Sequence, residues 1–78
     1  MPVTNRDRAI WALGAVEVFA EETGLDLECD GLDTAISDLL ADMYHLCKQN
    51  DLDLDDLLER GRWHFIEELA EEKEESVS

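Results

Sequence analysis

Apolar residues recur along this chain at spacings of three and four, and nowhere alternate strictly, so the pattern predicts helices and no strands. The first helix is expected to begin at Thr4 or Asn5. Thr4 can cap it, and Asp7, three residues on, favours the positive end of the helix dipole, with Pro2 just outside. It runs through Ala9 to Glu22 and stops at Gly24, a good C-terminal signal. At about 100° per residue, Trp11, Ala12, Leu13, Ala15, Val16, Val18, Phe19 and Ala20 cover more than half of its circumference. Arg6, Ile10, Gly14, Glu17 and Glu21 fill the narrow remaining stripe. A helix that apolar needs contacts in two directions: one from its own chain, the other from a partner subunit.

Leu25 to Leu32 reads as a loop, with Asp30-Gly31 as its turn signal. A second helix is expected from about Asp33 to Gln49, its apolar face formed by Ile36, Leu39, Leu40, Met43, Leu46 and Cys47. Asn50-Asp51 ends it. Asp53 then caps a third helix, whose core stripe is Leu54, Leu57, Leu58, Gly61, Phe65 and Leu69. After Ala70 the pattern gives way to a charged run. The expectation is therefore an all-α protein: a compact three-helix bundle over residues 1–70, its second and third helices an antiparallel hairpin, followed by a charged flexible tail at 71–78.

Length and charge sharpen this picture. A chain of 78 residues buries only about 60% of its unfolded surface, so its core is marginal and calls for a staple. Cys29 and Cys47 stand on a loop and a helix. No signal peptide or membrane-length apolar segment is legible, so the expected compartment is the cytoplasm, where thiols stay reduced. Oligomerisation remains as the staple, and a homodimer is expected. The chain carries 21 acidic and 6 basic residues, a formal net charge of -15. That balance disfavours direct binding to nucleic acid or to an anionic membrane, and favours a basic protein surface as partner.

Asp38, Asp42 and His45 stand at i, i+4 and i+7, on one helix face. Glu17 and Glu21 form a second pair at i, i+4. If the two stripes faced each other, their oxygens would suit Mg²⁺ or Mn²⁺; otherwise they are solvated helix faces, the more ordinary outcome. Two segments begin like calcium loops, Asp26-x-Glu28-x-Asp30-Gly31 and Asp51-x-Asp53-x-Asp55. Both fail at the twelfth position, which is Ser37 in one and Arg62 in the other, so capping accounts better for their aspartates. Arg60, Arg62 and His64 make a small basic island around Trp63, which lies opposite the third helix's core stripe, as a packing contact or an exposed anchor. The cysteines have neither a CxxC spacing nor a basic activator, and no phosphate loop or Ser/His/Asp arrangement is readable.

The stretch from Asp38 to Phe65, DLLADMYHLCKQNDLDLDDLLERGRWHF, resembles the C-terminal part of short uncharacterised helical proteins of bacteria, plasmids and phages. In those a D-L-x-x-D-L-x-H helix is followed by a polar turn, a D-[FL]-D cap and a helix ending in H-[FY]. More remotely it is similar to the helical hairpin of MazG-type nucleoside triphosphate pyrophosphatases, whose Mg²⁺ site implies an ExxE pair on one helix and an ExxD pair on the next. The chain departs from that pattern on both helices. Its acids around Glu17 to Glu22 are spaced by four and one, and Leu39 stands three before Asp42 where Glu is expected.

Two functions are thereby expected, beside a third reading in which the chain is a solvated acidic protein with no basic partner. The first is a non-enzymatic interaction protein without cofactor, with Asp38, Asp42, Asp55, Asp56, Glu59 and Trp63 as its contact residues for a basic, nucleic-acid-binding protein, as in phage or plasmid inhibitors. The alternative is a degenerate MazG-like pyrophosphatase with Mg²⁺ held by Glu17, Glu21, Asp38 and Asp42.

Overall fold

The structure, a computed structural model, describes residues 3–77, with side chains described over 3–72. The expectations for Pro2, and for most of the side chains of the 71–78 tail, lie outside the described residues. Among the described residues the protein is all-helical. Four helices follow in order: α1 (Asn5–Thr23), α2 (Leu27–Asp30), α3 (Leu32–Gln49) and α4 (Leu54–Val77).

Local chemistry sets the boundaries. The Thr4 hydroxyl accepts from the Asp7 N–H at 3.1 Å, and the Asp7 carboxylate accepts from the Thr4 N–H at 3.1 Å. This reciprocal box satisfies two donors that a helix start leaves free. Gly24 ends α1 at φ 78°, a left-handed conformation that glycine adopts without steric cost. The segment Leu25 to Leu32 is not wholly loop. Asp26 caps the four-residue helix α2 by accepting from the Glu28 N–H at 2.9 Å and the Cys29 N–H at 3.4 Å. Gly31, at φ 92°, turns the chain into α3, and a Cβ there would lie 2.7 Å from the Asp33 carboxylate, so the position requires glycine. Asn50 closes α3 by donating to the Leu46 carbonyl at 2.8 Å, and Asp53 opens α4 by accepting from the Asp55 N–H at 3.0 Å. α4 continues to Val77, past Ala70 where the apolar pattern stops.

The three long helices meet pairwise at three junctions. The last turns of α1 lie against the middle of α3, where Phe19, Thr23 and Leu25 share a hollow with Asp38, Ala41 and Asp42. The first turn of α1 reaches the far half of α4. There the Asn5 amide donates to the Glu68 carbonyl at 3.2 Å and to the Glu72 carboxylate, and Arg8 pairs with Glu68. α3 and α4 meet beside their connecting turn, where the Tyr44 hydroxyl donates to Asp55 at 2.5 Å. The result is an open frame.

Its dimensions follow. The chain measures 44 × 33 × 20 Å, with a radius of gyration of 15.1 Å, against about 11–12 Å for a compact domain of this length. The buried apolar residues are Val16, Ala20, Ala35, Cys47 and Leu54, all near the junctions of the frame. Ile36, Met43, Leu46, Leu58, Phe65 and Leu69, expected as core, are exposed instead. Each lies on the apolar side of its helix, yet stays accessible to solvent in the single chain.

Candidate functional site

The acidic and aromatic candidates fall into three separate places. The first is the side of α4 turned away from the frame. Leu54 is buried where α4 meets α3. At about 100° per residue, Asp56, Glu59, Trp63 and Ile66 occupy the opposite side of the helix from it. Glu59, Arg62, Trp63 and Ile66 line a shallow hollow there, and Trp63 is 60% exposed. The helix thus presents a large indole with the Glu59 carboxylate and Arg62 in the same hollow.

Asp55 stands one position round the helix and is engaged by Tyr44. That bond raises the Tyr44 phenol above its ordinary value of 10.0, because the neutral hydroxyl donates to a carboxylate. The charges of Asp55 and Asp53 add to the shift. Tyr44 is a functional neighbour that the sequence pattern did not single out. Its eleven-residue separation from Asp55 spans a turn, so no helical spacing connects the two.

The second place is the α1–α3 hollow. Asp38 and Asp42 line it together with Phe19, Thr23, Leu25 and Ala41, so their i, i+4 spacing does set them on one face. The third is the hollow between α1 and α2, lined by Glu17 and Glu21 with Ala20, Leu25, Asp26, Leu27 and Glu28. Leu25 borders both hollows. Among the described residues no three His, Cys, Asp or Glu side chains gather as a group able to hold a metal ion. The four carboxylates named for Mg²⁺ are distributed as two pairs. In the Asp26–Asp30 segment the carboxylates are used locally. Asp30 accepts from the Asp26 N–H at 3.0 Å. The Asp26 carboxyl is held below its ordinary value, first by the Cys29 side chain and then by the backbone N–H groups of Glu28 and Cys29.

Cys29 is exposed, Cys47 is buried, and both are free thiols. No described helix is long and apolar enough to cross a membrane. No protein-family model matches the sequence, and comparisons with curated proteins and with solved structures find no match.

Proposed function

We propose that this chain is a small acidic interaction protein without enzymatic activity, which acts in the cytoplasm as a homodimer. It engages the basic surface of a nucleic-acid-binding protein, as phage and plasmid inhibitors do. The observation that carries this reading is the outer side of α4, where the exposed Trp63 shares a hollow with Glu59 and a helix side with Asp56. Long-range attraction from a net charge of -15 speeds encounter with a basic surface and orients it. A tryptophan on a rigid helix then supplies the desolvated anchor that dominates many interfaces. Asp38 and Asp42, together with Asp55, extend the acidic field on the other sides of the frame. The homodimer is supported by the apolar residues that α3 and α4 leave exposed, Leu46 and Phe65 among them. In the dimer the three long helices close into a bundle, with α3 and α4 as its antiparallel pair.

Capture of partners from source-cell extract with the tagged full chain, followed by mass spectrometry and stopped-flow kinetics, tests this. The captured protein is expected to be basic. Its on-rate is expected to fall at least tenfold as salt rises from ~0.1 to ~1 M, and Trp63→Ala to weaken binding by about thirtyfold, the scale of a hot-spot residue. A partner whose association ignores both salt and Trp63→Ala overturns the reading.

A further inference from the structure

The least covered part of the molecule is the part that the hydrophobic pattern assigns to its core. Leu46 is 61% exposed and Phe65 57% exposed, and Ile36, Met43, Leu58 and Leu69 are exposed beside them. These residues lie on the apolar sides of α3 and α4; no charged position falls on the α3 stripe between Ile36 and Cys47, and Glu68, on the α4 stripe, is paired with Arg8 of the same chain. The chain exposes 6678 Å², whereas a folded monomer of 8.9 kDa exposes about 4,800 Å². The excess is about 1,900 Å² per copy, hence about 3,700 Å² for two copies, within the range of obligate dimers.

We infer that a second copy of this chain completes the hydrophobic core. The inner stripes of α3 and α4 from two copies pack on each other across a twofold axis, and folding and dimerisation are one event. This deepens the homodimer reading above and rests on it. The area selects the occupant: each copy lacks the same cover, and a self-complementary pairing supplies it to both at once. An occasional foreign partner would leave the stripes in water whenever it was absent. The charges oppose the fit little: the acids of α3 lie off its stripe, and Glu68 on the α4 stripe is paired with Arg8 within its own chain, so no unpaired carboxylate enters the interface. Repulsion between two acidic chains then acts through solvent and is screened by salt. The outer side of α4, with Trp63 about 180° from Leu54, stays free for the partner proposed above.

Sedimentation equilibrium and thermal unfolding across a hundredfold range of protein concentration test the inference, on the full chain and on three variants. The expected particle has twice the mass of 8.9 kDa. Its Tm is expected to rise roughly 4–5 °C for each tenfold increase in concentration, as for a dimer that unfolds to two chains. Salt is expected to strengthen it. Leu46→Glu and Phe65→Glu are expected to raise the dissociation constant at least about a hundredfold, with loss of helix where dimer is lost, while Trp11→Glu, on the outer side of α1, leaves the dimer intact. A folded monomer whose Tm ignores concentration overturns both this inference and the homodimer reading. A dimer broken by Trp11→Glu but indifferent to Leu46→Glu and Phe65→Glu overturns the shared core and leaves the homodimer standing. A dimer unaffected by those two variants, whose partner capture they abolish, assigns the stripes to a foreign protein and likewise overturns the inference.

Discussion

Gly14 stands in the middle of α1, a helix of 19 residues, on the side turned away from α3. A Cβ built there meets nothing within 4 Å. Glycine in a helix interior costs about 0.8–1.0 kcal/mol relative to alanine, mainly because the unfolded chain has more backbone freedom to lose. Gly14→Ala is therefore expected to stabilise each chain by about 1 kcal/mol. For a domain of this size that corresponds to a Tm increase of roughly 4–8 °C. The assay is thermal unfolding followed by far-ultraviolet circular dichroism, with wild type and variant at one protein concentration so that any association contributes equally. An unchanged or lowered Tm would refute the reasoning, since it would mean that something packs against the outer side of α1. Gly61→Ala supplies the comparison. A Cβ at Gly61 also meets nothing within 4 Å in a single copy, yet Gly61 lies on the stripe with Leu54, Leu58 and Phe65. If a second copy covers that stripe, its side chains take up the space, and Gly61→Ala gains less than Gly14→Ala. Equal gains would place no chain against Gly61.

Tyr44 is the only tyrosine in the sequence, so its ultraviolet titration reports one site. Its midpoint is expected above 10.0 and should return toward that value in Asp55→Ala. A folded-state value above the unfolded one favours the neutral phenol, so this stabilisation is complete below about pH 10 and is lost as pH rises through the folded midpoint. Thr4→Ala removes the hydroxyl half of the α1 capping box and is expected to cost about 1 kcal/mol, read as a lower Tm; no change would mean that the box contributes nothing. Titrating Mg²⁺ into the protein by calorimetry is expected to show no saturable heat that Asp42→Asn abolishes. No pyrophosphate should be released from a nucleoside triphosphate. A saturable, Asp42-dependent signal with pyrophosphate release would replace the interaction reading with the pyrophosphatase one.

Helix boundaries were legible in the sequence because they are local. Thr4 with Asp7, Gly24, and Asp53 ahead of Leu54 act over three or four residues, and the structure places helix ends at each of them. The short helix α2 escaped because four residues hold too little periodicity to register. Its cap, Asp26, could as well have been the first ligand of a calcium loop. The candidate contact residues were legible singly but not as a set. The i, i+4 spacing placed Asp38 and Asp42 on one face, and the helix period put Trp63 opposite Leu54. Whether α1 would bring Glu17 and Glu21 to the same hollow depended on how the helices cross, which no spacing within one helix records. Nor could the Arg8–Glu68 pair that ties α1 to α4 be read across so long a separation in sequence.

By itself, then, the sequence determined which side of each long helix is apolar, where each long helix begins, where α1 and α3 end, and that the chain is acidic. These follow from backbone capping, from the 3.6-residue period and from composition, none of which needs a neighbour. The tertiary structure alone decided which apolar residues are covered. Leu54 and Phe65 belong to the same stripe of α4, yet Leu54 is 3% exposed and Phe65 57%. One stands where α3 and α4 meet at their turn, and the other where the two helices have parted. Burial requires a second surface at van der Waals distance, and the distance between helices is a property of the assembled frame.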